Sequence, residues 1–358
     1  MNEFFCKTKI ISGSGAVAAL GQMHIRRLFL VCDPFFAKNG TADAVVKAAN
    51  PEDAHIFSQV VPDPSVTLAA QGAAAVREFQ PDTIVALGGG SAMDSAKAMA
   101  YFSGLQPYFV AIPTTSGSGS EVTNFAILTH EGVKHPLVDD RLRPDAAILD
   151  SRLTQSLPPA LIAEGGFDLV SHAVEAYAAS GAGALSDTLA QQALKIALKY
   201  LPASFGGDTA VRLEIHNAAT MAGIAFSCGG LGLCHAISHS LGGEFHIPHG
   251  RLNAILLPAV MEQNATGCLG RYAALSRNLG LTSGSDMMAF RALKNALLRL
   301  RRNLQLPETL AQCGITLPPD KVEKLVDAAL ADPCCATNPV RPSREMVRAI
   351  LREVSGHG

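Results

Sequence analysis

The 358-residue chain contains no tryptophan and few aromatic residues, and charged residues make up only 17% of it. This low charge, together with 48% hydrophobic residues, excludes a disordered chain, which needs low hydrophobicity and high charge. The formal net charge of −2 leaves no global field that attracts nucleic acid or an anionic membrane. We therefore expect that the partner is a small uncharged molecule rather than a nucleic acid or a membrane.

Long apolar runs and cysteine motifs are also missing. No run approaches the roughly 20 apolar residues that span a bilayer, and the N-terminal segment lacks the pattern of a secretory signal. The cysteines show no C-x-x-C spacing, which argues against a disulfide framework. We expect reduced cysteines in a cytoplasmic protein, and a redox role for the adjacent Cys334 and Cys335 stays open.

The pattern of hydrophobic residues changes near residue 155. Before it, continuous apolar runs of strand length alternate with Ala-rich helical segments, which predicts a buried parallel sheet with βαβ crossovers. The predicted strands are 28–32, 83–87 and 108–112, and the predicted helices are 41–49, 66–80 and 91–102. After Leu157-Pro158-Pro159, three- and four-residue spacing predicts helices at 185–201, 209–227, 286–302 and 320–331.

The sequence thus predicts an N-terminal α/β domain over residues 1–155, of the dinucleotide-binding kind, and an all-α domain over 156–358. Gly88-Gly89-Gly90-Ser91 follows a predicted strand and opens a predicted helix. Glycine amides approach a ligand closely, and a helix N-terminus favours phosphate. However, Met93 stands where the G-x-G-x-x-G fingerprint needs its third glycine, so a tight turn without a ligand remains an alternative.

A second segment rich in small residues, Thr114–Ser120, follows the strand at 108–112. Hydroxyl groups and glycines at the carboxyl end of a strand lie where α/β folds bind ligands. Asp33 closes the first predicted strand and can accept hydrogen bonds from a ribose while repelling a 2′-phosphate, which favours NAD over NADP. An Asp that begins a turn before Pro34 is the equally acceptable structural alternative.

Histidines concentrate in the second half of the chain. His235, His239, His246 and His249 fall within residues 235–249. The i, i+4 spacing places His235 and His239 on one helix face, and His246 is the weakest candidate ligand because it lies in an irregular loop.

Asp168 and His172 form another i, i+4 pair in an apolar stretch, where a carboxylate is costly unless it is paired or coordinated. One Asp and three His suit Fe²⁺, Zn²⁺ or another divalent ion, and the donor types alone do not choose among them.

Four segments in order resemble the iron-dependent, group III alcohol dehydrogenases: GGGSAMDSAKA (88–98), IPTTSGSGSEVT (112–123), GGFDLVSHAVEAY (165–177) and CHAISHSLGGEFHIPHG (234–250). Within this family the sequence looks closest to the 1-propanol dehydrogenases of bacterial diol-degrading microcompartments. The resemblance implies a Rossmann-like domain and a helical domain, the fold shared with dehydroquinate synthase, and a cleft that holds NAD(H) and the metal.

The resemblance also implies roles by position. The implied metal ligands are Asp168, His172, His235 and His249. His239 matches a histidine with a proton-transfer role, and Phe226 an aromatic wall beside the nicotinamide. The implied cofactor-binding residues are Asp33, Gly89, Gly90, Ser91, Asp94, Thr114, Thr115, Ser118 and Lys134.

We expect reversible, NAD(H)-linked interconversion of short primary alcohols and aldehydes, with aldehyde reduction as the cellular direction. We also expect a homodimer, located in the cytoplasm or inside a bacterial microcompartment, where shell or lumen proteins would be its partners. Three alternatives stay open. They are a zinc-dependent, glycerol-dehydrogenase-like polyol oxidoreductase, a lyase like dehydroquinate synthase, and a non-catalytic sensor that binds metal and nucleotide. The lyase is disfavoured because Arg251 is the one basic residue beside the histidine segment.

Overall fold

The computed structural model describes residues 4–130 and 133–356, which divide into two compact units. The first unit is Cys6–Leu157, and the second comprises the chain from Pro158 onward together with the residues before Cys6. Strands occur in the first unit, and the second is built from helices, so the Rossmann-like and helical fold classes read from the sequence are confirmed.

The first unit contains a parallel sheet with helices on both faces. Among the described residues its strands are β1 (Lys9–Ser12), β2 (Arg27–Cys32), β3 (Asp53–Phe57), β4 (Thr83–Gly88), β5 (Tyr108–Pro113), β6 (Phe125–His130), β7 (Val133–Val138) and β8 (Ala146–Leu149). Its α-helices are α1 (Pro34–Lys38), α2 (Thr41–Ala49), α3 (Val66–Phe79) and α4 (Gly90–Ser103). The parallel sheet has the order β1-β8-β5-β4-β2-β3, and β6 pairs with β7 in an antiparallel hairpin.

Strand β2 shows why the apolar runs are continuous. Leu28 and Leu30 pack in one buried cluster, whereas Phe29 and Val31 pack in another. Successive side chains of a strand point to opposite faces, so helices on both faces require an apolar residue at every position. The predicted strands at 28–32, 83–87 and 108–112 are confirmed as β2, β4 and β5.

The strand order brings three loops to one edge of the sheet. β2 lies between β3 and β4 in the sheet. The chain therefore runs from β2 to its neighbour β3 on one side, and then from β3 to β4 on the other side of β2. Cys32 is in register with Leu87, and Gly88 with Pro113, so β2, β4 and β5 end side by side. Open α/β sheets bind ligands at this switch in strand order, outside the carboxyl ends of the strands.

The second unit consists of helices. Those of the described chain are α5 (Pro159–Ala178), α6 (Ala184–Phe205), α7 (Arg212–Gly229), α8 (Leu233–Phe245), α9 (His249–Asn278), α10 (Asp286–Asn303), α11 (Pro319–Ala331) and α12 (Arg344–Ser355). Gly250 lets α9 pass close to α5, because a Cβ at this position would lie 2.0 Å from the backbone oxygen of Glu164. This approach brings the start of α9 to the middle of α5.

Two expectations from the sequence concern membranes and cysteines. No single helix in residues 4–130 and 133–356 is long and apolar enough to cross a membrane; α7 and α8 meet that criterion only as a pair bent by 105°. The residues of both helices are largely buried in the helical unit.

All eight cysteines are free thiols, and burial is the main cause that raises the pKa of Cys32 to about 11 and of Cys335 to about 12.

Candidate metal centre and nucleotide-binding loops

The helical unit gathers a carboxylate and three imidazoles around one point. Oδ1 of Asp168 lies 3.8 Å from Nε2 of His172, 3.7 Å from Nε2 of His235 and 3.6 Å from Nε2 of His249. We call these four residues the metal cluster. Such separations are those expected between ligands of a single ion that each lie roughly 2.0–2.2 Å from it.

Three helices supply the metal cluster. Asp168 and His172 are one turn apart on the buried face of α5, His235 lies in the first turn of α8, and His249 begins α9. The ring of His172 stacks between those of Phe226 and His235, with centroid separations of 4.4 Å and 4.5 Å. The positions of the four side chains are therefore fixed by buried helices rather than by loops.

Further side chains orient the imidazoles. Nδ1 of His235 lies 2.6 Å from Oε2 of Glu175, and Nδ1 of His249 lies 2.9 Å from Oγ of Ser238. A hydrogen bond donated by Nδ1 leaves the Nε2 lone pair free for a metal. Glu175 also accepts hydrogen bonds from the backbone N–H groups of Gly232 and Cys234, at the N-terminus of α8. The same carboxylate thus holds both the ring and its helix.

The metal cluster carries a buried negative charge. Burial raises the pKa of Asp168, but the imidazoles of His172, His249 and His235 outweigh it, so the pKa lies below its ordinary value. Burial acts against the charged form of His235, but the carboxylates of Asp168 and Glu175 raise its pKa to about 9. Burial lowers the pKa of His249 well below its ordinary value despite Asp168. A proton or a cation therefore neutralises this charge.

The donor set fits a divalent metal ion. A carboxylate oxygen of Asp168 and ring nitrogens of His235 and His249 lie within 4.8 Å of one another, and this combination of donors suits Fe²⁺ or Zn²⁺. His172 adds a third imidazole, 3.8 Å from Asp168. Asn253, one turn after His249 on α9, also reaches this point. Its Nδ2 donates to Oδ1 of Asp168 at 2.9 Å and lies 3.3 Å from Nε2 of His235.

The other residues singled out in this half are placed as follows. His239 stacks on His249 with 5.1 Å between ring centroids, and its Nδ1 lies 2.8 Å from Oδ2 of Asp332, which leaves Nε2 for another partner. His246 ends α8 in the left-handed conformation, with φ 55°. Arg251, the basic residue beside the histidine segment, is paired with Glu164 at 2.5 Å.

In the α/β unit, the residues Gly88–Ser91, which we call the glycine turn, connect β4 to α4. Gly88 has φ +151°, and a Cβ on it would lie 2.6 Å from that of Ala92, so only glycine fits. Gly89 is the N-cap residue of α4, without a capping side chain. The N–H groups of Gly90 and Ser91 at the start of α4 thus have no side-chain cap and can face an anion such as a phosphate, whereas that of Ala92 donates to the carbonyl oxygen of Gly89.

The residues Thr114–Ser120, which we call the hydroxyl loop, lie against the glycine turn. A Cβ on Gly89 would lie 3.1 Å from Oγ1 of Thr115, and one on Gly90 would lie 3.5 Å from Cβ of Ser118. The backbone N–H of Thr114 donates to the carbonyl oxygen of Gly88. The structure therefore brings together the two loops that the sequence identified separately.

Three more of the expected cofactor-binding residues have partners within the α/β unit. Oδ1 of Asp33 accepts a hydrogen bond from the backbone N–H of Phe35 and caps α1, which is the structural alternative noted above. Lys134 is paired with Asp63 at 2.7 Å. Asp94 is buried, and its carboxylate accepts hydrogen bonds from Oγ of Ser120 and the backbone N–H of Ile127.

Sequence reasoning missed the residues that support these groups. Glu175 carried a signal, because Asp168, His172 and Glu175 follow i, i+4, i+7 spacing on one helix face. Asn253 likewise follows His249 at i+4. Asp332 carried none, since 93 residues separate it from His239.

Comparison with known families matches both halves of the chain. Residues 7–151 match the model of iron-containing alcohol dehydrogenase, and residues 162–355 match that of the C-terminal part of the Fe-containing alcohol dehydrogenase family. The chain is 40% identical over 370 residues to 1-propanol dehydrogenase PduQ of Salmonella typhimurium, covering 99% of this chain and 100% of that protein.

Solved structures agree with this class. An iron-containing alcohol dehydrogenase from Thermococcus thioreducens has a TM-score of 0.90 and 34% identity, with 99% of this chain and 100% of that chain covered. Sulfoacetaldehyde reductase from Bifidobacterium kashiwanohense, solved in complex with NAD+, has a TM-score of 0.90 and 27% identity, with full coverage of both chains (100%). The fold is that of an oxidoreductase of the alcohol dehydrogenase class. The chain belongs to the iron-containing alcohol dehydrogenase family.

Proposed function

We propose that this chain is an NAD(H)-dependent alcohol dehydrogenase whose metal cluster holds Fe²⁺, with Zn²⁺ as the alternative metal. The observation that carries the proposal is the approach of Oδ1 of Asp168 to within 3.6–3.8 Å of three imidazole Nε2 atoms. A divalent metal in this position supplies Lewis-acid polarisation of an alcohol or aldehyde oxygen. The buried carboxylate and the oriented imidazoles supply its ligands.

The proposed substrates are short primary alcohols and the corresponding aldehydes, with aldehyde reduction, such as propanal to 1-propanol or acetaldehyde to ethanol, as the main direction. The similarity to 1-propanol dehydrogenase PduQ supports this substrate class. The nearby Arg251 is paired with Glu164. Its charge is therefore already compensated and is not free for a phosphorylated or acidic substrate.

The proposed cofactor is NAD(H), which supplies or accepts the hydride. The N-terminus of α4 and the adjoining hydroxyl loop offer N–H and O–H donors to a diphosphate. The NAD+ complex of the sulfoacetaldehyde reductase supports this cofactor. The proposed cofactor-binding residues are Asp33, Gly89, Gly90, Ser91, Asp94, Thr114, Thr115, Ser118 and Lys134.

His239 and Phe226 have proposed roles beside the metal cluster. Asp332 accepts a hydrogen bond from Nδ1 of His239, so Nε2 is the atom that exchanges a proton with an alkoxide or a water. Phe226 is buried and stacks on His172, which fixes that ring and keeps the wall of the site apolar.

Organisation and location are part of the same proposal. We assign residues 1–155 to dinucleotide binding and 156–358 to the metal centre and the substrate. The active assembly is a homodimer, located in the cytoplasm or within a bacterial microcompartment. Sedimentation of the purified protein and imaging of a tagged chain in cells that make shells test these two assignments.

The test of the function is a metal-reconstitution assay. Protein purified without oxygen is stripped with a chelator, reloaded with Fe²⁺ or Zn²⁺, and supplied with NADH and propanal or acetaldehyde. We expect NADH oxidation that depends on the reloaded metal and gas-chromatographic recovery of the alcohol. Absence of turnover in protein with a full complement of metal would contradict the proposal.

Two further arms separate the alternatives. Glycerol and NAD⁺ are supplied to the same preparations, because preferential oxidation of a polyol by the zinc form would identify a glycerol-dehydrogenase-like enzyme. Binding of NADH is measured separately by its fluorescence. A protein that binds metal and NADH but transfers no hydride to any aldehyde would be a sensor.

A further inference from the structure

Lys97 is a buried cation in the middle of α4, two turns after the glycine turn. Its side chain is 1% exposed, and its Nζ has four oxygen acceptors, each at 3.0 Å. The acceptors are Oγ of Ser120, the backbone oxygen and Oγ1 of Thr123, and the backbone oxygen of Phe125. All four therefore belong to a single segment, Ser120–Phe125, which continues the hydroxyl loop.

A buried ammonium group is retained only where several groups compensate for the lost hydration. Burial lowers the pKa of Lys97 to about 8, and the nearby charges of Asp94 and Glu121 oppose this effect. At neutral pH the side chain is mainly charged, and its three N–H groups are shared among the four oxygens in charge-assisted hydrogen bonds. The segment cannot move away from α4 without removing these hydrogen bonds from a buried charge.

Asp94 reinforces the same attachment from one turn earlier on α4. Its Oδ1 accepts a hydrogen bond from Oγ of Ser120 at 3.0 Å, and its Oδ2 accepts one from the backbone N–H of Ile127 at 3.1 Å. Ser120 thus links the acidic and the basic side chain. Both oxygens of Asp94 are directed toward the chain that follows the hydroxyl loop.

We propose that Lys97 is a positioning residue that fixes the hydroxyl loop against the glycine turn and thereby sets the affinity for the dinucleotide without contacting it. The inference rests on the proposed function, because the proposed function assigns the dinucleotide to these two loops. A loop held in its binding conformation loses less conformational freedom when a ligand binds, and this difference appears as affinity. Asp94, which is among the proposed cofactor-binding residues, reinforces the attachment made by Lys97 through its hydrogen bond with Ser120.

A purely structural role makes a different prediction. If Lys97 only fills the core, its loss lowers the melting temperature and leaves the NADH affinity of the folded enzyme unchanged. If it positions the loop, its loss raises the Kd and the KM for NADH, while kcat at saturating NADH stays close to that of the wild type. The split between KM and kcat therefore separates the two roles.

The principal variant is Lys97→Met, which keeps the length of the side chain and removes the charge. We expect the Kd for NADH, measured by fluorescence at a temperature well below unfolding, to rise about tenfold to hundredfold. We expect kcat at saturating NADH to change by less than about twofold. In the ligand-free protein, hydrogen exchange of the backbone amides of residues 114–127 should accelerate.

Ser120→Ala and Thr123→Val remove one hydroxyl each and serve if Lys97→Met does not fold. Both should raise the Kd for NADH in the same direction by a smaller factor, about threefold to tenfold. In a double-mutant cycle, Lys97→Met and Ser120→Ala should be less than additive on the Kd for NADH, because they break the same link.

Asp145→Asn is the matched control. Asp145 directly precedes β8, at the amino ends of the strands and therefore away from the loops at their carboxyl ends. It accepts a hydrogen bond from the N–H of Phe109 at 2.9 Å and pairs with Lys7 at 2.7 Å. This variant should lower the melting temperature without changing the Kd for NADH or the exchange of residues 114–127.

Two results would overturn the inference. One is an unchanged Kd for NADH in folded Lys97→Met and Ser120→Ala, and the other is unchanged amide exchange over residues 114–127 in these variants. Because NADH binding is measured without metal or aldehyde, a failure of the wild type to reduce aldehydes is recognised separately. A wild type that binds no dinucleotide at all would overturn both proposals, whereas normal wild-type binding with unaffected variants overturns only the present one.

Discussion

The metal cluster and the two loops proposed to bind the nucleotide, the glycine turn and the hydroxyl loop, are built from different parts of the chain. In the helical unit the reactive groups are side chains on buried helices, and further side chains such as Glu175 hold them. In the α/β unit the groups offered to a ligand are backbone amides and small hydroxyls, brought together because β4 and β5 end side by side. Function therefore depends on donor chemistry in one unit and on the path of the backbone in the other.

This difference predicts how each region responds to substitution. A ligand of the metal cluster cannot be replaced, because its loss removes a donor atom and leaves a buried charge without a partner. A residue of the glycine turn supplies an amide that every amino acid has, so its replacement acts through steric fit. Losses of activity should consequently be large and centred on kcat in the helical unit, and smaller and centred on cofactor affinity in the α/β unit.

The largest expected effect comes from Asp168→Ala. The variant should lose bound metal during dialysis and reduce propanal at least about a thousandfold more slowly, since the Lewis-acid contribution is lost. Metal content is measured by mass spectrometry and NADH oxidation by absorbance. His216→Ala is the control, because His216 is a buried histidine of α7 outside the metal cluster. Full retention of metal by Asp168→Ala would show that the ligands lie elsewhere.

A smaller effect is expected from Glu175→Gln, which keeps the shape of the side chain that orients His235. Removing the carboxylate should weaken metal binding by about tenfold to hundredfold, as for other residues that hold a metal-binding histidine. The measurement is the rate of metal loss to a competing chelator, and full activity should return with excess Fe²⁺. Glu164→Gln is the matched control on the same helix, since Glu164 pairs with Arg251. Equal rates of metal loss in the two variants would contradict the role of Glu175.

Much of the fold could be predicted from the sequence because the physical signals were local. Continuous apolar runs revealed β2, β4 and β5, and three- and four-residue spacing revealed helices such as α10 and α11. Strands β1, β3, β6, β7 and β8 were not identified. β1 and β8 have only four residues each, and β3 carries polar and exposed positions, so none of these three gives a clear pattern.

The candidate sites, too, could be predicted only where the signal in the sequence was local. The candidate ligands of the metal cluster are rare residue types, and Asp168 and His172 form an i, i+4 pair, but the set of four was implied by the family resemblance rather than by spacing. The groups that hold them are contacts between distant segments, such as His239 with Asp332, and no spacing rule reports these. Lys97 was hidden for a second reason, because a lysine in a helix is normally solvated and its burial depends on where Ser120–Phe125 passes.

In the α/β unit, Gly89→Ala should raise the Kd for NADH about tenfold and leave metal content unchanged. The added Cβ would lie 3.1 Å from Oγ1 of Thr115, so the side chain of Thr115 must move by a few tenths of an ångström at the contact between the two loops. Gly104→Ala is the control, with φ +75° and open space around its Cβ. It should cost about 1 kcal/mol of stability from backbone strain and leave the Kd for NADH unaffected. A loss of metal from Gly89→Ala would contradict the separation of roles between the two regions.

The smallest effect concerns Asp33, where charge and hydrogen bonding can be separated. Asn caps a helix as well as Asp does, so Asp33→Asn should keep α1 intact while removing the charge that disfavours a 2′-phosphate. Because a half-exposed charge contributes at most about 1 kcal/mol, the preference for NADH over NADPH in kcat/KM should fall only about threefold to fivefold. Asp33→Ala should show the same change in preference and lose about 1 kcal/mol of stability as well, since the cap is also removed. If the preference for NADH over NADPH is unchanged in both variants, Asp33 is a helix cap alone. The choice between NAD and NADP would then depend on the path of the backbone, as the comparison of the two regions implies.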